Sequence, residues 1–124
     1  MIDFQNGSYL KLKKVNDDAV IKQIQPLFIP GEELIGTYKT VRDSVTFTNK
    51  RILAVNVQGL TGKKKDFTTI PYSKITVFSI ETSGHFDMDS ELDIFLSGIG
   101  RVRFEFTGAS DILQIGNIIS QYLL

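Results

Sequence analysis

The chain has 124 residues, of which 42% are hydrophobic and 23% are charged, an ordinary composition for one soluble globular domain. Fourteen basic residues balance fourteen acidic ones, so there is no net charge to attract nucleic acid or an anionic membrane. The absence of cysteine excludes disulfides, thiolate nucleophiles and every zinc site that needs sulfur.

The sequence shows no signal for export or for insertion into a membrane. No apolar run approaches the roughly 20 residues that are needed to cross a bilayer. Near the start, Asp3 is the first charge and the lysines follow later, which is the wrong order for a secretory signal. We therefore expect a cytoplasmic protein.

The N-terminal part of the chain divides into a weakly patterned segment and a short helix. Residues 1–15 have no strong period, and we predict an arm or a loose strand there, ahead of a single domain over residues 16–124. Asn16 is a good N-cap for the helix, and Pro26 should end it near Gln25. The apolar face of this helix consists of Val20, Ile21 and Ile24.

From Glu33 onward, apolar residues recur at every second position, which predicts β-strands. In residues 44–48, for example, two large apolar side chains alternate with three hydroxyls. This alternation is typical of antiparallel strands with one buried face and one face in water. Seven strands are predicted, at about 33–41, 44–49, 51–57, 66–71, 75–83, 91–97 and 101–107.

The chain is predicted to end in an amphipathic helix. Ser110 is the expected N-cap, and Asp111 should lie in the first turn, where the helix dipole favours an acid. Antiparallel strands followed by one helix make an α+β arrangement, in which a bent sheet leaves an open end for the helix to cap. The apolar stripe of this helix comprises Ile112, Ile115, Gly116, Ile119, Tyr122 and Leu123.

Several short motifs occur in the order in which one protein family has them. On these motifs, the chain from residue 16 onward resembles the bacterial pleckstrin-homology-like (PH-like) domain family, a group of mostly uncharacterised small bacterial proteins. The resemblance implies a bent antiparallel β-sandwich, or partly open barrel, of seven strands capped by the C-terminal helix. It also implies ring-shaped homo-oligomers, of five protomers for single-domain members. The motifs are Pro30-Gly31-Glu32, Val41-Arg42-Asp43, residues 47–51, residues 58–64, Ile70-Pro71-Tyr72 and residues 81–92.

A lipid-binding role is the first that the family name suggests. Eukaryotic PH domains that bind phosphoinositides use a long basic loop between their first two strands, but here residues 41–44 form a tight turn with one arginine beside an acid. The basic run Lys63, Lys64 and Lys65 could instead contact an anion, or it could be a solvated loop tip. Each basic residue near a membrane contributes only about 1 kcal/mol, although a ring would present several copies.

His85, Asp87, Asp89 and Glu91 recur at every second position, which suggests a metal site. On a strand this spacing points all four to one side, as metal ligands would. A calcium loop starting at Asp87 fails, however, because its sixth position is Leu92, where glycine is required. We therefore predict a polar hairpin between two strands, with no metal and no cofactor.

No group of residues supports catalysis. His85 is the single histidine, and a nearby loop serine does not make a catalytic triad without the matching geometry. The glycine-containing run at residues 58–65 lacks the spacing of a phosphate-binding loop.

The remaining polar residues at turns suggest either a junction between protomers or ordinary solubility. Phe95 supports the first interpretation, because it is a large apolar residue on an otherwise polar strand face. We therefore predict a non-enzymatic interaction module that assembles into a ring and binds an unidentified protein partner; the alternative is an anionic-lipid or phosphate binder at Lys63–65. The predicted junction comprises Arg42, Asp43, Lys50, Arg51, Glu81 and Phe95.

Overall fold

The computed structural model describes residues 1–82, 89–108 and 111–124, with every side chain in these ranges except that of Leu10. The predicted residues His85, Asp87 and Ser110 lie outside this part of the chain. Its strands are β1 (Gly7–Val15), β2 (Leu34–Lys39), β3 (Ser44–Thr48), β4 (Arg51–Gln58), β5 (Lys64–Pro71), β6 (Ile75–Thr82), β7 (Ser90–Leu96) and β8 (Gly100–Phe106). Its α-helices are α1 (Ile21–Ile24) and α2 (Ile112–Leu123), and 3-10 turns cover Asp17–Ala19, Gln25–Leu27 and Tyr72–Lys74.

The strands form one sheet of eight in the order β5-β4-β3-β2-β1-β8-β7-β6. Each of the seven predicted strands is present, and the α+β class is confirmed. β2 to β5 pair antiparallel in sequence order, and so do β6 to β8, whereas β5 and β6 stand at opposite ends of the sheet. The eighth strand, β1, forms within the residues predicted as an arm or a loose strand. It pairs antiparallel with β2 and parallel with β8, so it joins the two halves of the sheet.

The main core lies between one face of the sheet and α2. Phe104 is fully buried there, stacked on Tyr9 at a centroid distance of 5.5 Å and edge-on to Phe47 at 6.2 Å. The predicted stripe of α2 faces this core, as the helical spacing requires. Its buried members are Ile112, Ile115, Gly116 and Ile119, whereas Tyr122 is 44% exposed and stacks on Tyr72.

The start of α2 differs from the prediction in one respect. Asp111 occupies the N-cap position and not the first turn, and its side chain makes no capping hydrogen bond. Its carboxylate instead pairs with the ammonium group of Lys14 on β1. The acid therefore ties the helix to the N-terminal strand, which the local sequence pattern could not indicate.

The hydroxyl face of β3 is buried, which corrects the prediction that it meets water. Ser44, Thr46 and Thr48 are all at most 3% exposed, and the Thr46 hydroxyl lies 3.3 Å from that of Thr37. The reason is a second small core on this side of the sheet, where α1 covers β4. It comprises Val20, Ile24, Leu53 and Val55, while the alternate residues of β4, Ile52 and Ala54, face the main core.

The N-terminal helical segment begins at the predicted cap, but it divides into a 3-10 turn, one α-helical turn and a second 3-10 turn that continues to Leu27. The Asn16 side chain accepts a hydrogen bond from the Asp18 N–H at 3.0 Å, as an N-cap should. The α-helical turn ends at Ile24, and Pro26 lies in the 3-10 turn that follows. None of the described helices has both the length and the apolar character needed to cross a membrane.

Candidate functional site: the edges and turns of the sheet

Arg51 belongs to a clamp that fastens the loop before β2 to the start of β4. Its guanidinium donates to both carboxylate oxygens of Glu32, at 2.8 Å and 2.7 Å, and also to the Leu27 carbonyl. The Thr48 hydroxyl donates to the same carboxylate at 2.8 Å. The Glu32 side chain is 0% exposed and that of Arg51 is 15% exposed, so the pair is mainly an internal structural contact.

The electrostatics of the clamp favour the ionised form of Glu32. The hydrogen bond from Arg51 is the main reason that the pKa of Glu32 is lowered to about 2, although burial of the carboxylate acts in the opposite direction. Hydrogen bonds from the Thr48 hydroxyl and the Ile29 N–H lower it further. A carboxylate with three donors remains charged across the physiological pH range.

Arg42 and Asp43 form the turn between β2 and β3. The Asp43 carboxylate accepts a hydrogen bond from the Val57 N–H at 2.9 Å, and the Arg42 guanidinium donates to the Gly59 carbonyl at 2.5 Å. Both side chains therefore fix this turn against the end of β4. Arg42 remains exposed, and Asp43 is half-buried.

The six residues predicted to form a protomer junction are not brought together. Arg42 and Asp43 precede β3, whereas Lys50 and Arg51 follow it at the opposite end. Glu81 and Phe95 lie on β6 and β7, in the other half of the sheet. The structure therefore offers several separate surfaces in place of one patch.

The lysine run does not form one cradle. The loop after β4 ends at Lys63, while Lys64 and Lys65 already belong to β5, opposite Gln58 and Val57. The strand thus begins two residues before the predicted position, and the loop is shorter. Because successive residues of a strand point to opposite faces, the ammonium groups of Lys64 and Lys65 diverge. All three lysines are exposed.

The outer face of β6, β7 and β8 carries a row of acids. Glu81, Glu91 and Glu105 lie directly opposite one another on the three strands. Asp93, two residues further along β7, pairs with Arg103 through hydrogen bonds of 2.9 and 3.2 Å. Within the described ranges, no group of three or more acids and histidines is arranged to hold a metal ion.

Asp89, the other described acid of the alternating polar run, has a structural contact. Its carboxylate accepts a hydrogen bond from the Gly108 N–H at 2.9 Å. It therefore links the start of β7 to the end of β8.

An apolar groove lies beside the acids on the same outer face. Val77 and Phe95 are opposite each other on β6 and β7 and are 55% and 38% exposed. Phe4, Leu96 and Arg101 are among the other residues that line it. Of the predicted junction residues, Phe95 is thus the one that lies in an exposed apolar surface.

The two edge strands of the sheet are β5 and β6, which the sequence analysis did not identify. β5 and β6 each pair with one neighbour only within the described part of the chain. Each has eight residues. Their free backbone groups make them templates for pairing with another strand.

An open sheet of this order, packed by a C-terminal helix, is the architecture of a pleckstrin-homology domain. The chain belongs to the bacterial PH domain family, whose model matches residues 3–123. This match includes β1. The PH-like fold predicted from the sequence is thereby confirmed.

Similar solved structures come from two Shewanella species. A DUF1696 family protein with a pleckstrin-homology domain from Shewanella loihica PV-4 is 35% identical, with a TM-score of 0.76 over 94% of this chain and 100% of that one. A pleckstrin-homology domain from Shewanella amazonensis SB2B is 38% identical, with a TM-score of 0.62 over 89% of this chain and 90% of that one.

Among curated proteins, the chain is similar to two from Bacillus subtilis (strain 168) that are named as uncharacterized. YjqA is 48% identical over 95 residues, which are 77% of this chain and 76% of the relative. YozO is 29% identical over 102 residues, which are 82% of this chain and 88% of the relative.

Proposed function

We propose that this protein is a non-enzymatic interaction module that assembles into a closed ring of identical protomers and presents a repeated surface to a protein partner. The observation that carries the proposal is that β5 and β6 each have one strand neighbour only in the described part of the chain. A protein with exposed strand edges must block them or pair them. Pairing one kind of edge with the other generates a head-to-tail assembly, which closes when the rotation between neighbours allows it.

In the described part of the chain, the groups with shifted pKa values fit a structural role. Burial raises the pKa of Tyr9 to about 12, and its hydroxyl donates to the Asn56 side chain at 2.7 Å. Burial likewise raises the pKa of Tyr38 to about 12. With the lowered pKa of Glu32, these shifts all move away from neutrality, whereas general acid–base catalysis needs a pKa near the working pH.

Size-exclusion chromatography with light scattering tests the assembly. We expect one discrete species at an integral multiple of 13.9 kDa, at about 70 kDa if the ring has the five protomers that the family resemblance implies. A monomer that persists at high protein concentration would contradict the proposal. A continuous series of growing species would contradict closure of the ring.

The alternative, a peripheral membrane or phosphate binder, depends on Lys63, Lys64 and Lys65. Their divergence along β5 gives it less support than the uncovered edges give to assembly. A vesicle flotation assay with anionic lipid tests the alternative. If the protein is an assembly module, we expect no vesicle binding that depends on these three lysines. The alternative would be favoured if the protein floats with the vesicles and the variant with all three lysines replaced by glutamine does not. The control variant, in which Lys22 and Lys74 are replaced by glutamine, should still float.

A further inference from the structure

We infer that the protein partner binds the outer face of β6, β7 and β8 through a segment that carries an apolar anchor between an acid and a pair of basic residues. This inference rests on the proposed partner binding and names the chemistry of the partner. Along the strand direction, the face consists of an apolar groove with one arginine, then an ion pair, then a row of glutamates. The groove, its arginine and the glutamates each receive one part of the segment.

The apolar groove receives the anchor. Phe95 on β7 and Val77 on β6 lie directly opposite each other in it, and Phe4 and Leu96 add apolar surface. The groove encloses about 710 Å³, which is within the size range of ligand sites. Adjoining exposed apolar side chains mark interaction sites on soluble proteins. The space therefore suits one aromatic or long aliphatic side chain with the backbone that carries it.

Arg101 sets the charge beside the groove. It is exposed and lies opposite Phe95 on β8, and it is the single charged residue among the described ones that line the groove. Arg103 on the same strand face is already paired with Asp93. Arg101, in contrast, forms no ion pair with any described residue. An acid next to the anchor of the partner therefore finds an available cation here.

The other end of the face carries the opposite charge. Glu81, Glu91 and Glu105 lie opposite one another, four positions along their strands from the groove residues, which is about 13 Å. Like charges directly opposite each other weaken a sheet. Arg103 offsets only part of this charge, because it lies 3.7 Å from Glu91 but is shared with Asp93. Basic residues of a partner would relieve the repulsion that remains.

The two signs of charge select a protein segment as the partner. An anionic membrane would be attracted at Arg101 but repelled by the row of glutamates. A polypeptide can carry both signs at fixed distances from one anchor. In an extended segment, about 13 Å corresponds to four residues. The basic pair should therefore begin four positions from the anchor, and the acid should be next to the anchor on its other side.

Two dye-labelled peptides of identical composition test the inference. The matched peptide has glutamate, phenylalanine, three serines and two lysines in that order, and the inverted peptide has two lysines, phenylalanine, three serines and glutamate. With phenylalanine in the groove, the inverted peptide places like charges together at both ends. Fluorescence anisotropy at low salt should show about tenfold tighter binding of the matched peptide. Equal affinities, or no binding of either peptide, would overturn the inference.

A charge exchange on the protein tests the row of glutamates without altering the groove. In the variant Glu81→Lys with Glu105→Lys, Glu91 lies between two opposite charges, which favours retention of the fold. The preference for the matched peptide should disappear in this variant. It should persist in the control Glu33→Lys, which changes an exposed acid ahead of β2. Persistence of the preference in the exchange variant, or its loss in the control, would contradict the role of the row.

Removal of the aromatic ring tests the groove. Phe95→Ser should weaken binding of the matched peptide by about tenfold, whereas Leu113→Ser, at an exposed apolar residue of α2, should not. If Phe95→Ser changes the mass of the assembly in light scattering, a second copy covers the groove and the inference is wrong. Flotation with anionic vesicles that Phe95→Ser abolishes would assign the groove to a membrane and also overturn it. If Phe95→Ser does not fold, the charge exchange still decides.

The outcomes separate this inference from the proposed assembly. An oligomer that does not distinguish the two peptides would overturn the inference and leave the assembly in place. A monomer that distinguishes them would support the inferred surface and overturn the assembly.

Discussion

Replacing Arg51 with methionine should lower the free energy of unfolding by about 3 kcal/mol, because it leaves the buried Glu32 carboxylate without its cationic partner. Methionine retains the aliphatic length of the side chain but donates no hydrogen bond. The substitution also frees the Leu27 carbonyl and the Thr69 hydroxyl, which Arg51 contacts in the folded protein. Urea unfolding monitored by circular dichroism measures the loss.

The neighbouring exposed residue offers a matched control. Lys50→Met removes the same kind of charge one position earlier, at the exposed turn, and should change the stability by less than about 0.5 kcal/mol. If both variants lost the same free energy of unfolding, the effect would come from removing a positive charge and not from the contact with Glu32.

The contact between Glu32 and Arg51 also predicts that the stability of the protein depends on pH. The pKa of Glu32 is about 2 in the folded protein and 4.5 ordinarily, so the folded state favours the carboxylate. Its contribution to stability is fully present above about pH 5 and is lost as the pH falls toward 2. The stability difference between the unmodified protein and Glu32→Gln should therefore shrink by more than half between pH 7 and pH 3. A difference that does not change with pH would contradict the lowered pKa.

Replacing Gly100 with alanine should lower the free energy of unfolding by about 3 kcal/mol, because two costs coincide there. Its φ of +142° is one that side-chain-bearing residues rarely adopt, and an added Cβ would overlap the Phe4 carbonyl oxygen. That oxygen accepts a hydrogen bond from the Arg101 N–H at 2.7 Å. The substitution should therefore also detach the N-terminal residues from β8.

Gly98 in the same hairpin provides the comparison. Its φ of +75° is also positive, but an added Cβ would meet nothing within 4 Å. Gly98→Ala should cost only about 1 kcal/mol of backbone strain. Amide hydrogen exchange at Arg101 should accelerate in Gly100→Ala and stay unchanged in Gly98→Ala; equal exchange in both would contradict the close approach of Phe4.

The candidate surfaces show where reading the sequence succeeds and where it does not. Phe95 was singled out because a large apolar residue on a polar strand face is visible from alternation alone, and it lines the exposed groove. Arg51 was singled out only as a polar turn residue, since its partner Glu32 lies nineteen positions away and no local pattern connects them. The alternation of residues also could not predict that β5 and β6 are the edge strands. Strand order depends on which distant segment lies between the two halves of the sheet.

Local chemistry was enough to predict the seven strands with two-residue alternation, the Asn16 cap, the end of α1 ahead of Pro26, and the apolar stripe of α2 that faces the core. Long-range contacts were needed to bring β1 between the two halves of the sheet, to pack α1 on β4 on the side where the hydroxyls of β3 are buried, and to leave β5 and β6 at the ends of the sheet. The physical reason is that alternation and capping act between near neighbours, whereas burial of a face and pairing of a strand depend on residues far apart in the chain.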